Sequence, residues 1–392
     1  MTIHDFDDIR PFLPEELPAV YDRLLQDPEF LAALDYVFPG IPQDALAARM
    51  RSCPTNLDFQ LTMVYPMLQQ LLSKAATSLT ANFQPIDCER QLNHTFVSNH
   101  RDIVLDSALL SYVLHDNGYN TVEIAIGDNL LIRPWIKDLV RVNKSFIVQR
   151  ALTMRQMLLA SAHMSKYMHF CINEKHENIW IAQREGRAKD SNDRTQDSVL
   201  KMMAMGGDLR QLNIVPLAIS YEYDPCDYLK AQEMQNKRDV EGFKKSQQDD
   251  LDNMRTGIFG WKGKIHYHAA PCINEWLDTL PSDMPKADYF RAVAEHIDQE
   301  IHRHYHLYAG NYVAADLLLA AGQGPVAQCP TCGDSAAAPH SSHYTPEEKA
   351  RFEAYVEQRL AMVTLPHPDV DFLRRCILTM YANPVFNHEA AL

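Results

Sequence analysis

The chain has 392 residues, of which 46% are hydrophobic and 22% are charged. This composition is typical of a folded globular protein and excludes an intrinsically disordered chain. The 51 acidic and 37 basic residues leave a formal net charge of −14. Because binding to nucleic-acid phosphates requires positive charge, this balance excludes a general nucleic-acid-binding function, and we expect no nucleic-acid partner.

The N-terminus and the cysteines both indicate a reducing compartment. The first residues are acidic and lack the apolar stretch of a signal peptide. Most of the eight cysteines are widely spaced, which is typical of reduced thiols. No run reaches the roughly 18 apolar residues that a membrane-spanning helix requires. We therefore expect a cytoplasmic protein, either free or bound peripherally to the inner face of the cell membrane.

Residues 1–90 have the pattern of a helical region. Asp27 is a suitable N-cap before Pro28, and the prolines at 39–42 end that helix. A longer helix is predicted over 59–79. Its apolar face predicts one of two roles, contact with a bilayer or packing on the neighbouring domain, and contains Phe59, Leu61, Val64, Met67 and Leu71.

Residues 91–275 alternate β-type runs with helical stretches, which is typical of βαβ units. The predicted strands lie at 94–99, 121–126, 178–183, 213–221 and 263–271. A polar helical segment, 227–258, is predicted as an exposed excursion from the sheet. The expected fold is therefore an α/β domain with a mostly parallel, mixed sheet and flanking helices, between helical regions at 1–90 and 276–392.

One loop near the C-terminus combines cysteines and histidines. Cys329, Cys332, His340 and His343 supply four ligand types that suit zinc. Their spacing is tighter than in zinc fingers, and the loop is rich in Gly, Ala and Ser. We expect a low-complexity surface loop, with a structural zinc site as the alternative, and we expect the cysteines to be dispensable for catalysis.

Three alternating histidines are also possible metal ligands: His302, His304 and His306. On a strand they would share one face, but the flanking pattern is helical and would scatter them. We expect them to be solvated surface residues.

The segment from Ser98 to Leu110 holds the most informative group of residues. His100 follows a predicted strand, and Asp102 and Asp106 follow it near the start of an amphipathic helix. A carboxylate that accepts from one imidazole nitrogen fixes the tautomer and leaves the other nitrogen to act as a general base. On its own this signal is weak, because an aspartate near a helix start is usually a cap.

Three further stretches strengthen this interpretation. Residues 144–150 end in the basic Arg150, residues 183–189 contain Glu185-Gly186-Arg187, and a strand begins around Pro216. In this order the four stretches resemble the four motifs of the glycerol-3-phosphate and lysophosphatidate acyltransferase superfamily. The resemblance covers roughly residues 90–275.

The resemblance implies specific roles for the residues of these motifs. It implies that His100 is the general base, with Asp106 or Asp102 as its partner, because five residues separate His100 from Asp106 where the family has four. It also implies a set of substrate-binding residues: Arg101, Arg150, Glu185, Gly186, Arg187, Lys189 and Pro216. Since Arg187 directly follows Gly186, unlike the usual family spacing, either Arg187 or Lys189 could contact a phosphate.

The implied activity is transfer of a fatty acyl group in phospholipid synthesis. The donor would be acyl-CoA or acyl carrier protein as co-substrate, with no other cofactor, and the acceptor glycerol-3-phosphate or a lysophospholipid. A lyso-aminolipid acceptor without phosphate remains open, as does a non-catalytic protein of the same fold that binds lipid or acyl carrier protein. A metal-dependent hydrolase that uses the Cys/His loop is a third class. Because the product is apolar, we expect peripheral contact with the membrane.

Overall fold

A seven-stranded sheet organises the computed structural model, which describes residues 1–131, 133–150, 153–322 and 340–392. In chain order the strands are β1 (Ser78–Asn82), β2 (Thr95–Ser98), β3 (Val122–Gly127), β4 (Ser145–Val148), β5 (Asn178–Ala182), β6 (Ile214–Tyr221) and β7 (Lys264–Ala269). Across the sheet their order is β1-β7-β6-β2-β5-β3-β4. The five strands from β6 to β4 are parallel, whereas β7 is antiparallel to β6 and β1 is parallel to β7. The predicted α/β class with a mostly parallel, mixed sheet is confirmed.

Helices surround this sheet and form both ends of the chain. Within the described ranges they are α1 (Leu17–Leu24), α2 (Pro28–Val37), α3 (Gln43–Arg51), α4 (Asn56–Phe59), α5 (Tyr65–Ala75), α6 (Leu105–Asp116), α7 (Pro134–Val142), α8 (Met154–Asn173), α9 (Asp197–Met203), α10 (Asp227–Asp239), α11 (Gln247–Phe259), α12 (Asn274–Leu277), α13 (Lys286–Arg303), α14 (Ala309–Ala320), α15 (Pro346–Ala361) and α16 (Val370–Ala391). None of the helices in the described part of the chain combines the length and the apolar content needed to cross a bilayer. The boundaries of the three predicted domains stay predictions.

The two faces of the sheet are covered by different helices. Side chains alternate along a strand, so that Val97 of β2 joins one apolar core and Phe96 joins the other. The first core is completed by α8, α9 and α13, and the second by α5 and α6. Because both faces are covered, every residue of β2 and β6 is buried. β6 is almost wholly apolar, whereas β2 also buries the small hydroxyl side chains of Thr95 and Ser98.

The apolar face of the predicted helix 59–79 packs inside the protein. A π-helical turn, Gln60–Val64, connects α4 to α5. Phe59 packs in a cluster with helices α1 to α3, and Leu71 packs in the core between the sheet and α6. Val64 and Met67 are partly buried against the same two clusters, so packing accounts for four of the five residues of this face. The last residues of the predicted helix instead form β1, an edge strand.

Two predictions about the second half of the chain were wrong. The segment 227–258 is not an exposed excursion, because α10 buries residues such as Ala231 against the C-terminal helices. His302 is not a solvated surface residue: it is 3% exposed, and its Nε2 lies 2.9 Å from the carbonyl oxygen of Asp193. The reason is that α13 packs on the sheet as far as Ile301, in its last turn, so the adjacent His302 is buried as well.

Candidate active site

The carboxyl edge of the sheet, where β2 to β6 end, carries the first motif. β2 ends at Ser98, and His100 follows two residues later. The side chain of Asn99 fixes the backbone between them: its Nδ2 donates to the carbonyl of Ile219 (2.9 Å) and its Oδ1 accepts from the N–H of Ile219 (2.8 Å). Asn99 thereby extends the pairing of β2 with β6 by a side chain, and His100 emerges from a rigid support.

His100 is paired with Asp106. Its Nδ1 lies 2.8 Å from Oδ2 of Asp106, which is fully buried at the start of α6. The same oxygen accepts from the backbone N–H groups of Arg101 (2.6 Å) and Asp102 (3.0 Å). Because a carboxylate only accepts, His100 donates through Nδ1, which leaves Nε2 to take up a proton. The side chain of His100 retains 13% exposure and is thus within reach of a substrate.

Asp102 has a different role. Its Oδ1 accepts from the backbone N–H groups of Val104 (2.9 Å) and Leu105 (2.8 Å), which caps the start of α6. Burial, and then the nearby charge of Asp106, raise the pKa of Asp102. The structure brings Asp106, and not Asp102, to His100, so the turn at 101–104 accommodates the extra residue of the first motif.

An aromatic side chain from the neighbouring strand fixes the imidazole from the side. The ring of Trp180, on β5, meets the ring of His100 edge to face with centroids 5.6 Å apart. The indole N–H of Trp180 donates to Oγ of Ser98 at 2.9 Å, which holds the indole in place. These contacts restrict the imidazole to a small range of orientations.

The side chain of Arg101 is buried and paired with an acidic residue. Its Nη2 lies 2.7 Å from Oδ2 of Asp193, and its guanidinium lies over the ring of Tyr305 at 5.7 Å. The hydroxyl of Tyr305 donates to the same Oδ2 at 2.6 Å. In the structure Arg101 therefore connects the first motif to the residues that follow α13.

The second and third motifs meet at the carboxyl edge through Arg150 and Glu185. Nη1 of Arg150 lies 3.2 Å from Oε1 of Glu185, and both side chains are substantially exposed. Gly186 follows with a φ of +70°, in the left-handed region that favours glycine. This conformation turns the chain so that Glu185 faces solvent while Arg187 is buried.

Arg187 and Lys189 have different surroundings. Nη2 of Arg187 donates to Oδ1 of Asn253 (3.1 Å), whereas its buried Nη1 has no hydrogen-bond partner among the described residues. Lys189 is occupied by Glu233, with Nζ and Oε2 2.8 Å apart. Burial, and then the charge of Arg187, lower the pKa of Lys189 to about 8. Of these two basic residues, Arg187 has the donor that is still available.

Pro216 lies inside the sheet, below the carboxyl edge. It is in register with Val97 of β2, and its carbonyl accepts from the N–H of Ala270 at 2.8 Å. The structure places it in the core of the domain, three residues before the level of His100 on the adjacent strand.

The four residues of the Cys/His loop are only partly described. Cys329 and Cys332 lie outside the described residues. His340 lies between two carboxylates, with Nδ1 2.8 Å from Asp316 and Nε2 2.8 Å from Glu389. The ring of His343 stacks on Tyr312 at 4.2 Å. Within the described ranges, no group of three or more potential ligands is arranged to hold a metal ion.

Several residues of this site escaped the sequence analysis. Asn99 could have been found, because a polar residue at the end of a buried strand is unusual. Trp180, Asp193, Asn253 and Tyr267, whose hydroxyl donates to the carbonyl of Asp106 at 2.9 Å, lie far from the first motif in the chain. No local pattern connects them to His100, so only the folded structure reveals them.

Comparison with known proteins agrees with the position of this site. Residues 86–220 match the family model for acyltransferases. This segment is an acyltransferase domain. The match includes residues of all four motifs, and the family predicted from them is confirmed for this part of the chain.

The whole chain was also compared with curated proteins and with solved structures. No curated protein matches it. Among solved structures, the 1-acyl-sn-glycerophosphate acyltransferase from Thermotoga maritima is similar at 10% sequence identity with a TM-score of 0.36. That similarity covers 73% of this chain and 97% of the other.

Proposed function

We propose that the acyltransferase domain moves a fatty acyl group from a thioester to a lipid-precursor hydroxyl, with His100 as the general base. The pairing of His100 with the buried Asp106 supports this proposal most directly. Nε2 of His100 accepts the hydroxyl proton while the oxygen attacks the thioester carbonyl. The tetrahedral intermediate then collapses and the C–S bond breaks. The departing thiolate takes the proton from the imidazolium, which returns His100 to its neutral form.

The acceptor that we propose is glycerol-3-phosphate or its monoacyl ester. Arg187 supports a phosphate-bearing acceptor, because its Nη1 is a buried donor without a partner in the described structure and guanidinium groups bind phosphate well. Arg150 would supply a second cation if its exposed pair with Glu185 opened. That pair also favours the second candidate, a lyso-aminolipid without phosphate, because an arginine already neutralised has less need of an anionic ligand.

The donor would be acyl-CoA or acyl carrier protein, and no further cofactor is required. Positioning and base catalysis suffice for acyl transfer between a thioester and a hydroxyl. Because the acylated product is apolar, we place the reaction at the inner face of the cell membrane, where the protein would bind peripherally.

A thiol-release assay tests this function. Purified protein is given acyl-CoA or acyl-carrier-protein donors, each crossed with glycerol-3-phosphate, lysophosphatidate and a lyso-aminolipid. We expect His100→Ala to lower turnover by about 10²–10⁴-fold while the thermal midpoint of unfolding stays unchanged. His115→Ala, at an exposed position of the same helix α6, is the matched control.

The outcomes separate the alternatives. Near-normal turnover by a folded His100→Ala protein would contradict the mechanism. Donor binding without thiol release for any acceptor would identify a non-catalytic binding protein. Release with the lyso-aminolipid alone would select the second acceptor.

A further inference from the structure

The first two turns of α8 expose large apolar side chains. Met154, Leu158 and Leu159 are 86%, 62% and 63% exposed, and Met157 is exposed beside them. The second half of the same helix is buried in the core against the sheet. These first turns therefore project from the body of the protein; we call Met154, Met157, Leu158 and Leu159 the α8 patch.

A second exposed apolar group precedes β7. Phe259 is 47% exposed and Trp261 is 51% exposed. The exposed ring of Tyr36 packs edge to face on Phe259, with centroids 5.3 Å apart, and extends this group. We call Phe259 and Trp261 the β7 patch.

Both patches lie at the carboxyl edge of the sheet. The α8 patch follows β4, which ends at this edge. The β7 patch precedes β7, and because β7 is antiparallel to β6, it begins where β6 ends. In the strand order β1-β7-β6-β2-β5-β3-β4, the strand β2 that carries His100 lies between β7 and β4. With strands about 4.8 Å apart, β2 is roughly 10 Å from β7 and roughly 14 Å from β4, so the patches straddle the active site.

Exposed basic residues accompany both patches, although the whole chain has a net charge of −14. Arg155 lies within the α8 patch, and Arg255 and Lys264 lie beside the β7 patch. The acidic residues of α11 are in its first turns, at the opposite end from Phe259. Apolar side chains with cations around them are the combination that binds the interface of an anionic bilayer.

We propose that the α8 patch and the β7 patch insert together into the interface of an anionic lipid bilayer and bring the carboxyl edge of the sheet onto it. The inference rests on the proposed function for its purpose, since a lipid product formed at His100 would enter the bilayer directly. Its physical basis is separate: two apolar groups at one edge, with basic residues around them.

Vesicle co-sedimentation of the full chain tests this surface. The probes are phosphatidylcholine vesicles with and without roughly one-quarter phosphatidylglycerol. We expect tighter binding to the anionic vesicles, and we expect Leu158→Ser/Leu159→Ser and Phe259→Ser/Trp261→Ser each to weaken it by about tenfold or more. The matched control is Leu92→Ser/Met205→Ser, two exposed apolar residues that precede β2 and β6 at the opposite edge; it should bind like the wild type.

Tryptophan fluorescence gives a readout specific to one patch. Trp261 should shift its emission to the blue when anionic vesicles are added, and this shift should be missing in Trp261→Phe. Wild-type protein that fails to bind anionic vesicles, or patch variants that bind as well as the control, would overturn the proposal.

A thiol-release assay distinguishes failure of the membrane proposal from failure of the proposed function. It uses the same variants with soluble donor and acceptor and without vesicles. Patch variants should retain that turnover. A protein that binds vesicles through the patches but releases no thiol would refute the proposed function and leave the membrane surface standing. Full turnover without vesicle binding would refute the membrane surface and leave the proposed function standing.

Discussion

A single carboxylate oxygen organises the catalytic loop at the residue scale. Oδ2 of Asp106 accepts from the imidazole of His100 and from two backbone N–H groups, whereas its buried Oδ1 has no partner in the described structure. The carboxylate lies directly beside the imidazole, where its negative charge would stabilise the imidazolium that forms when His100 takes a proton. Asp102 instead accepts hydrogen bonds from the backbone N–H groups at the start of α6.

Replacement of each aspartate by asparagine should separate these roles. Asp106→Asn removes the charge beside His100, and we expect turnover to fall by roughly tenfold or more. Asp102→Asn keeps an acceptor for the N–H groups of Val104 and Leu105, because asparagine caps helices nearly as well. We expect it to retain most of the turnover. Steady-state kinetics of both variants provide the measurement, and the reverse ranking would show that Asp102 is the working partner.

Arg187→Lys tests the proposed recognition of a phosphate. Lysine keeps the charge but loses the planar fork, so the contact to Asn253 and the free Nη1 donor cannot both be replaced. We expect a higher KM for a phosphate-bearing acceptor and an unchanged KM for the acyl donor. Arg150→Lys is the comparison at the exposed ion pair. A donor-selective effect would assign Arg187 to the phosphopantetheine or coenzyme A moiety.

At the scale of elements, the start of α6 depends on a helix more than 140 residues further along the chain. A Cβ atom added at Gly257 of α11 would lie 2.0 Å from Oδ2 of Asp102. Glycine is thus needed here for close approach, because it lets α11 pack directly on the residue that caps α6. The polar segment that includes α11 supports the catalytic loop from outside the motifs.

Gly257→Ala should consequently destabilise the protein, although alanine favours a helix by about 1 kcal/mol over glycine. The overpacking against buried Asp102 should outweigh that gain and lower the free energy of unfolding by about 1–3 kcal/mol, and turnover should decrease with it. Urea denaturation monitored by circular dichroism measures the change. Asp252→Ala, at an exposed position of the same helix, serves as the control, and a more stable Gly257→Ala protein would contradict the close contact.

Much of the element structure was predictable from the sequence. The predicted runs at 94–99, 178–183 and 213–221 contain β-branched and aromatic residues, which favour strands, and they form β2, β5 and β6. β1 was missed because it is a half-buried edge strand that directly continues a helical pattern. The reversed direction of β7 was also unpredictable, since strand direction depends on the path of α10 and α11 and leaves no local signal.

Only the residues of the first motif could be predicted as parts of the site from their spacing in the sequence. His100 and its two candidate aspartates lie within seven residues, and a local pattern could find them. Which aspartate pairs with His100 depends on how the turn at 101–104 closes, and that turn packs on Gly257 and on Asp193. Such long-range contacts follow from the complete fold and not from spacing.

For the molecule as a whole, buried polar contacts join the catalytic domain to the C-terminal helices. Arg101 pairs with Asp193, which in turn accepts from Tyr305. Two residues along, the N–H and hydroxyl of Thr195 donate to Oδ1 of Asp298 on α13, at 2.7 and 2.6 Å. The segment after the third motif is therefore held on the C-terminal helices by charged and polar groups away from water.

Asp298 makes this junction sensitive to pH. Burial raises its pKa from 3.8 to about 7, so the folded state holds a proton that the unfolded state loses above pH 4. Its contribution to stability is complete below about pH 4 and decreases as the pH rises to about 7. Asp298→Asn should remove this dependence. The free energy of unfolding of the variant, relative to that of the wild type, should therefore rise by roughly 2–3 kcal/mol when the pH is raised from 5 to 8.

Urea unfolding at the two pH values, expressed as the difference between variant and wild type, measures this gain. Asp288→Asn, on the exposed first turn of α13, should show no such difference. If the stability difference between Asp298→Asn and the wild type is the same at both pH values, Asp298 titrates normally in the folded protein.

The position of β1 at the edge of the sheet has a consequence for biosynthesis. Among the strands that the structure describes, β1 pairs with β7 alone, and paired residues such as Thr80 and His266 are 186 positions apart. At about 5–20 residues per second, a ribosome would need roughly 10–40 s to reach β7 after it has made β1. During that interval the N-terminal helices can assemble, but β1 has no strand to join. The sheet would grow outward from β2, β5 and β3, and the first strand synthesised would be the last to be incorporated.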